Sequence, residues 1–192
     1  MHGKYPYPTG YRLLIKNGIR VNVDPTASTK VPESPFGFEA FTNPSRSGFM
    51  PLGSYSYLHS FVREISKIGR YCSIGANLKV VQNTHLMDRV FSSPLFYSPR
   101  KLREWSTSSY TSEHLVDFEL GVAPVTVDHG LWTGDDVRLR SGIHIGTGAV
   151  ITAGSIVTGN VEPYAIVAGI PAKLVHQRFD KPLIKRLLAT GW

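Results

Sequence analysis

Seven histidines and one cysteine are the side chains of this sequence best able to do chemistry near neutral pH. Histidine suits general-base work because its ordinary pKa of about 6.5 leaves the ring largely neutral yet basic at pH 7. His85, in QNTHLMD, stands where a regular block gives way to a long irregular segment, a setting in which catalytic groups are often found. By its residues alone, His85 is either a candidate base or an ordinary surface histidine.

The remaining candidates for chemistry are weaker. Cys72, in IGRYCSIG, occupies a position that the repeat described below reserves for small residues, so we assign it to packing rather than to nucleophilic attack. A zinc site would need three imidazoles that converge on one ion. No two histidines have the close spacing of such ligands, although His129 and His144 could approach across coils. We therefore expect no metal.

A six-residue repeat is the element that must position these groups. From residue 127 onward an anchor residue, mostly aliphatic, recurs every six positions, and a small or β-branched residue follows four positions after most anchors. The anchors are Val127, Thr133, Leu139, Ile145, Ile151 and Val157. Three positions after each anchor stand residue types that tolerate a positive φ angle, namely Gly130, Asp136, Gly142, Gly148, Gly154 and Asn160. This pattern predicts a triangular coil in which each hexad makes one short strand and one corner.

Three hexads complete one turn of such a coil, and stacked turns bury the anchors in a continuous column. An earlier block, residues 62 to 85, follows the same rule with anchors Val62, Ile68, Ile74 and Val80 and turn residues Gly69, Gly75, Asn77 and Asn83. The offset from Val80 to Val127 is not a multiple of six, so a segment from about 86 to 124 must leave the coil. Its many aromatic residues favour an ordered lid, and a hydrophobic plug is the alternative.

Length and composition predict one domain over residues 1–192. Asp180 and Pro182 mark the start of a short helix over about 180–190.

The 42% apolar and 18% charged content is that of a globular protein, and no apolar run is long enough to span a membrane. Without a signal-like amino terminus and with one cysteine, we expect a cytoplasmic protein. The net charge of +7 is dispersed, which favours a phosphate-bearing small molecule over nucleic acid.

The stretch from LWTGDDVRLRSG to GIPAKLVHQRFD resembles the hexapeptide-repeat acetyltransferases. More narrowly it is similar to their xenobiotic branch and to the related sugar and polysaccharide O-acetyltransferases, which share the order of IGRYCSIG, QNTHLMD, the long excursion and RFDKPLIKRLLATGW. The resemblance covers roughly residues 52–192. It implies an all-β fold, a left-handed parallel β-helix with an excursion loop and a short C-terminal helix. It also implies an acetyl-CoA-dependent transferase that works as a homotrimer.

The resemblance also implies roles for single residues. His85 falls at the position of the family's catalytic base, and direct transfer is expected because no Ser or Cys visibly pairs with it. The residues expected to contact acetyl-CoA are Trp132, Gly134, Asp135, Ala153, Thr158, Gly159, Lys173 and His176. Of these, Lys173 lies where the family has a basic side chain near the nucleotide phosphates, whereas His176 and Gly159 replace common basic residues and weaken that contact. The residues expected on the acceptor side are Asn83, Asp88 and Tyr97.

The acceptor is open at this stage. The loop HLMDRVFSSPLFY resembles that of the sugar O-acetyltransferases, and the antibiotic-modifying members generally continue beyond the position of Trp192. Both features favour a hydroxyl of a sugar or polysaccharide precursor over chloramphenicol or a streptogramin. A non-catalytic glycan-binding scaffold is the remaining alternative.

Overall fold

A computed structural model describes residues 52–60, 62, 64–81, 85–105, 115, 118 and 123–192. The chain divides into two compact units. The coil unit comprises Met1–Val81 and Ala123–Trp192, and the insert comprises Gln82–Val122. The predicted corner residue Asn83 lies outside the described residues.

The coil unit consists mainly of short strands of two to six residues, as six-residue repeats predict. They are β1 (Tyr57–Leu58), β2 (Ile65–Ile68), β3 (Ser73–Ile74), β4 (Lys79–Val81), β5 (Val125–Val127), β6 (Trp132–Thr133), β7 (Arg138–Arg140), β8 (His144–Ile145), β9 (Val150–Ile151), β10 (Ile156–Val157), β11 (Ala165–Gly169) and β12 (Ala172–Gln177). All pairings between successive coils are parallel, and only β11 and β12 pair antiparallel among the described strands. The strand orders are β1-β3-β6-β9-β11-β12, β10-β7-β4 and β2-β5-β8. The fold is therefore a three-sided parallel β-helix.

The predicted anchors form the core of this coil. Thr133 is 1% exposed, and Leu139, Ile145 and Ile151 are fully buried. Val137, Ile143 and Ala149, each four positions after an anchor, lie in the same hydrophobic cluster as these three aliphatic anchors. Val80 departs from the prediction, since it is half-buried and packs at the edge of the cluster. Ser66, four positions after the anchor Val62, is exposed. The described coil extends upstream of the anchor Val62, because Leu52 is buried and bridges to Ile68.

The spacing of paired strands locates the insertion. Trp132 pairs with Val150, which lies three hexads further along the chain, as in a plain turn. Ser73 pairs with Trp132, and the separation of these two residues in the sequence is much longer than a plain turn. The excess equals the length of the insert Gln82–Val122. The whole excess therefore lies in the insert, and the predicted excursion over 86–124 is displaced from it by a few residues.

Two groups of glycines have different tasks in the coil. Gly130, Gly142, Gly148 and Gly154 adopt positive φ at corners, as predicted, and so does Asp136. The earlier block differs from the prediction, because Gly69 and Gly75 are not in the left-handed region. A Cβ atom at Gly69 would lie 2.6 Å from the carbonyl carbon of Asp128, so this glycine is required for close approach of coils.

The corner residues in the earlier block are instead Tyr71 and Asn77, at φ angles of 59° and 58°. Asn77 was among the predicted turn residues, whereas Tyr71 was not. Asn160, predicted at a later corner, does not have a positive φ angle. Its side-chain oxygen accepts a hydrogen bond from the backbone N–H of His144.

The carboxyl end of the coil is a hairpin followed by a helix. Strands β11 and β12 pair antiparallel with an irregularity between Ile166 and Val167. Helix α2, Lys181–Ala189, begins after Asp180, whose side chain accepts a hydrogen bond from the backbone N–H of Leu183. No residue of this helix is buried. Within the described residues, no helix combines the length and apolar character needed to cross a bilayer.

The insert has a small helical core of its own. A 3₁₀ helix spans Pro94–Phe96 and helix α1 spans Pro99–Trp105. Leu86 and Leu102 are buried, while the rings of Phe91 and Phe96 stack with centroids 5.6 Å apart. The segment predicted as an aromatic excursion is thus an ordered unit in its described part.

Candidate active site

His85 is the best-oriented candidate base within the described part of the insert. Its Nδ1 atom lies 2.9 Å from the carbonyl oxygen of Ser92 and 2.8 Å from the hydroxyl oxygen of Tyr97. A carbonyl oxygen can only accept a hydrogen bond, so we assign the imidazole proton to Nδ1. In the neutral ring the lone pair that can take a proton then belongs to Nε2.

Local structure in the insert fixes the two groups that orient the imidazole. Ser93 caps the 3₁₀ helix, its Oγ accepting a hydrogen bond from the backbone N–H of Leu95, and Pro94 follows at the first helical position. Ser92 precedes this cap, and its carbonyl oxygen lies 2.9 Å from Nδ1 of His85. Tyr97 ends the same turn and packs edge-on against Phe118, with ring centroids 4.7 Å apart.

The other residues expected on the acceptor side are placed less favourably. The carboxylate of Asp88 is exposed and lies 3.8 Å from Nε of the neighbouring Arg89. Tyr97 contacts His85 through its hydroxyl, which gives it a positioning task that the sequence did not suggest. Ser92 acts through its backbone carbonyl, and no side-chain motif could have identified it.

Some of the residues expected to contact acetyl-CoA meet at one corner of the coil. Gly134 and Ala153 are so close that a Cβ atom on Gly134 would lie 2.6 Å from the backbone nitrogen of Ala153. Asp135 accepts the backbone N–H of Ala76 at 2.7 Å, which ties the corner to the coil below. Trp132 is 57% exposed on the outer face of the six-stranded sheet. The corner thus offers exposed backbone and a flat apolar side chain.

The remaining predicted contacts lie at the carboxyl end of the coil. Thr158 and Gly159 line a groove of about 260 Å³ between the corner after β10 and the last hairpin. Its other lining residues include Leu174 and Gln177 of β12. Lys173 and His176 lie on the same strand and are exposed. The buried Oε1 atom of Gln177, one of the lining residues, has no hydrogen-bond partner among the described residues.

Cys72 and the two histidines considered for zinc have other roles. Burial raises the pKa of the Cys72 thiol to about 11, as expected for an inert packing residue. His129 accepts a hydrogen bond from the backbone N–H of Arg70, and His144 contacts the carboxylate of Asp128 at 3.1 Å. Among the residues that the structure describes, no cluster of three His, Cys, Asp or Glu side chains could hold a metal ion.

Comparisons with known proteins give similarity to acetyltransferases over most of the chain. A chloramphenicol acetyltransferase from Agrobacterium fabrum is 30% identical over 180 residues, which cover 83% of this chain and 82% of that protein. A probable macrolide acetyltransferase from Lysinibacillus sphaericus is 32% identical over 136 residues, or 70% of this chain and 72% of that protein. The galactoside O-acetyltransferase of Escherichia coli is 36% identical over 58 residues, 30% of this chain and 29% of that protein.

Among solved structures, the chain is similar to a hexapeptide-repeat acetyltransferase from Vibrio cholerae. That protein is 19% identical, the match covers 76% of each chain, and the TM-score is 0.49. No protein-family profile matches the chain.

Proposed function

Because this chain belongs to the hexapeptide-repeat acetyltransferases, in the group that includes the chloramphenicol acetyltransferases, we propose that it transfers the acetyl group of acetyl-CoA directly to a hydroxyl with His85 as general base. The observation that carries this proposal is the paired contact of Nδ1 with the Ser92 carbonyl and the Tyr97 hydroxyl. Both partners hold the ring so that Nε2 is the basic atom. A left-handed coil is part of the same proposal.

The proposed reaction needs one proton carrier. His85 Nε2 takes the proton of the acceptor hydroxyl as its oxygen forms a bond to the acetyl carbon, and the carbon–sulfur bond of the thioester breaks. The imidazolium then returns the proton to the departing thiolate, so that no net proton is gained or lost. The Ser92 carbonyl accepts the Nδ1 hydrogen bond throughout and stabilises the positive charge on the ring.

The residues of the coil unit fit acetyl-CoA. The pantetheine arm carries amide N–H groups, and the orphaned Oε1 atom of Gln177 beside Thr158 and Gly159 is an acceptor that such a group would satisfy. Lys173, exposed on β12, supplies a cation for the phosphates. Acetyl-CoA supplies the acetyl group as an activated thioester. The further contacts that we propose for it are Trp132, Gly134, Asp135, Ala153 and His176.

We also propose a homotrimer, since the family resemblance places the cofactor in a groove between two subunits. The exposed apolar residues Ile170, Leu174 and Val175 on the last hairpin fit contact with another subunit. A cytoplasmic location is part of the same proposal, because the single cysteine suits a reducing compartment.

The proposed acceptor is a hydroxyl of a sugar or polysaccharide precursor, supported by the similarity of the loop HLMDRVFSSPLFY to that of the sugar O-acetyltransferases. Asn83 and Asp88 are proposed to contact it, with Tyr97 acting mainly on His85. The second candidate is an antibiotic hydroxyl, because the chloramphenicol acetyltransferases match over more than four-fifths of the chain.

The decisive experiment compares His85→Ala with the wild type. We expect the release of free CoA thiol in the presence of acceptor to fall at least about 100-fold, since general-base catalysis contributes that much or more. The affinity for CoA, measured by calorimetry, should be unchanged. His59→Ala, at an exposed histidine of the coil unit, is the matched control and should retain full turnover. Near-wild-type turnover in His85→Ala would disprove the assignment.

A mass-spectrometric screen should separate the acceptors. Neutral sugars, acidic sugars, chloramphenicol and a streptogramin are incubated with enzyme and acetyl-CoA, and each is examined for a gain of one acetyl group. Acetylation of sugars supports the first candidate, and acetylation of the antibiotics alone supports the second. Failure with every acceptor, together with retained glycan binding, would instead support a non-catalytic scaffold.

A further inference from the structure

The groove beside Thr158 and Gly159 has no cation among its lining residues. Most of these residues are apolar, and the only ionisable one, Glu162, is an acid. The groove measures about 260 Å³, which accommodates only part of a molecule as large as acetyl-CoA. A neutral pantetheine arm suits this lining, whereas a carboxylate repels phosphate groups. We therefore expect the phosphates of a molecule bound here to lie outside the groove, beside a cation.

Strand β7 brings two arginines to the edge of this groove, within the coil unit. Leu139 of β7 pairs with Val157 of β10 in parallel register. The residues that follow them, Arg140 and Thr158, are therefore opposite each other on strands about 4.8 Å apart. The paired residues are buried, so Arg140 and Thr158 point outward, where both are exposed. Arg138, two positions before Arg140, shares this outer face.

The two arginines are available to an external anion. Among the residues that the structure describes, no carboxylate forms an ion pair with either of them. The acids that precede them in the chain are engaged elsewhere, since Asp135 accepts the backbone N–H of Ala76 and Asp136 accepts the side-chain amide of Asn77. Guanidinium groups present several donors in a fixed fork that matches the oxygens of a phosphate. The pair therefore fits a phosphate group.

The groove is also open on this side. A Cβ atom added at Gly159 would have no described atom within 4 Å, so a ligand can approach the backbone there. Acetyl-CoA carries several phosphate groups. Among its proposed contacts, Lys173 of β12 is the only lysine or arginine, and it adjoins Leu174 on the hairpin side of the groove. The cations of β7 lie on the other side, next to Thr158.

We propose that Arg138 and Arg140 bind a phosphate group of acetyl-CoA. This inference rests on the proposed use of acetyl-CoA and assigns two further residues to its binding. Both residues hold the donor at a distance from the thioester and do not touch the reacting atoms. Their loss should raise the KM for acetyl-CoA and leave kcat unchanged. Because the contact is between opposite charges near the surface, it should weaken as the ionic strength rises.

The test compares two ligands that differ in their phosphates. CoA and pantetheine share the arm that ends in the thiol, and pantetheine has no phosphate. By calorimetric titration into the full-length protein, we expect the Kd for CoA to be at least about tenfold higher in R138Q/R140Q than in the wild type, because charge-assisted hydrogen bonds are lost. The affinity for pantetheine should be the same in both proteins. R138K/R140K keeps both charges and should recover part of the affinity for CoA.

Two control variants remove positive charge elsewhere on the coil unit. Lys79 pairs with Arg138 from β4, one strand further from the groove, so K79Q tests general attraction between the protein and CoA. K185Q/R186Q removes two cations from helix α2. Both variants should bind CoA within about twofold of the wild type, since exposed charges without direct contact contribute little.

Several results would overturn the proposal. It fails if wild type and R138Q/R140Q bind CoA equally, or if K79Q weakens binding as much as R138Q/R140Q does. An equal loss of pantetheine affinity would show damage to the groove instead of a lost phosphate contact. Dissociation of the oligomer in R138Q/R140Q would place the arginines in a subunit contact and would also refute the assignment. If the wild type does not bind CoA at all, the proposed function itself fails.

Discussion

At the scale of single residues, the described part of the insert holds the imidazole of His85 in one orientation. The Ser92 carbonyl and the Tyr97 hydroxyl both reach the same nitrogen of His85. Two partners restrict the ring more than one does, because rotation about the side-chain bonds would break both contacts. We expect the loss of one of these contacts to lower kcat and to leave the KM for substrates nearly unchanged.

Replacing Tyr97 by Phe tests that restriction. The hydroxyl is lost and the ring that packs on Phe118 is kept, so the fold should be preserved. One neutral hydrogen bond contributes about 0.5–1.5 kcal/mol, which predicts a fall in kcat of about two- to tenfold. The KM for acetyl-CoA should not change. Tyr57→Phe removes a hydroxyl from the coil unit and should leave kcat as in the wild type. An unchanged kcat in Tyr97→Phe would refute the positioning role.

The buried thiol of Cys72 makes a prediction about pH. Burial raises its pKa from the ordinary value of 9.0 to about 11, so the folded state favours the neutral thiol. The resulting stabilisation is fully present below pH 9.0 and is lost as the pH rises through about 11. Cys72→Ala lacks this titration, so its Tm should decline less than that of the wild type over that interval. A parallel decline of both proteins would contradict the prediction.

The same residue should resist thiol reagents. Attack requires the thiolate, which a raised pKa makes scarce at pH 8. Ellman's reagent should therefore label the native protein slowly and the protein in guanidinium chloride at once.

The sequence identified His85 as a candidate base but did not show its contacts with Ser92 and Tyr97. His85 could be predicted because both its residue type and its position at the end of a repeat block can be read from the sequence. The role of Ser92 could not, since a backbone carbonyl carries no residue-type signal. The sequence did not show that the turn at Pro94–Phe96 brings the Tyr97 hydroxyl to His85, and contact of Tyr97 with the acceptor stays a prediction.

At the scale of elements, one corner of the coil is completed by a residue from the C-terminal segment. The corner positions Tyr71, Gly130, Gly148 and Tyr164 all have positive φ and stand on successive coils. Trp192 lies beside Gly130, with its ring centroid 5.9 Å from that of Tyr71 and its Nε1 donating to the Tyr164 hydroxyl. The indole therefore bridges the two tyrosines across the glycine corners, and this contact holds the end of helix α2.

Glycines that permit close contact between coils should not tolerate even a methyl group. Gly69→Ala would place a methyl group 2.6 Å from the backbone of Asp128, which cannot move without displacing a strand. Overpacking of this kind costs about 1–3 kcal/mol, so the Tm should fall by several degrees. Gly159→Ala is the control for stability, because no atom of the described residues lies within 4 Å of the added carbon. Equal Tm values for the two variants would show that the coils can separate at little cost.

Hexad spacing predicted the regular elements and failed at the first and last described turns. Anchors such as Leu139 and Ile151 follow from a spacing that places every sixth residue inside. The first and last described turns are shorter than three hexads, as the bridge from Leu52 to Ile68 and the pairing of Val150 with Ile166 show. The last coil has a neighbour on one side only, so less packing enforces the repeat there.

At the scale of the whole molecule, the coil and the insert are separable in the sequence. Val81 ends β4, and Ala123 precedes β5 by two positions. Removal of Gln82–Val122 reduces the offset between Ser73 and Trp132 to three hexads, the offset of a plain turn. Each anchor would then keep its place in the column. The coil unit should therefore not need the insert to set its register.

A variant with Val81 joined directly to Ala123 tests this separation. We expect a folded β protein by circular dichroism, with cooperative thermal unfolding, because each turn buries its anchors against its neighbours. Acetyl transfer should be abolished, since His85 is removed, while CoA binding should persist through residues such as Lys173 and Gln177. The control joins Val81 to Val122, which leaves one extra residue at the junction. That residue has to leave the coil as a bulge, so the control should fold with a lower Tm than the direct joint. Failure of the direct joint to fold would show that the coil unit needs the insert.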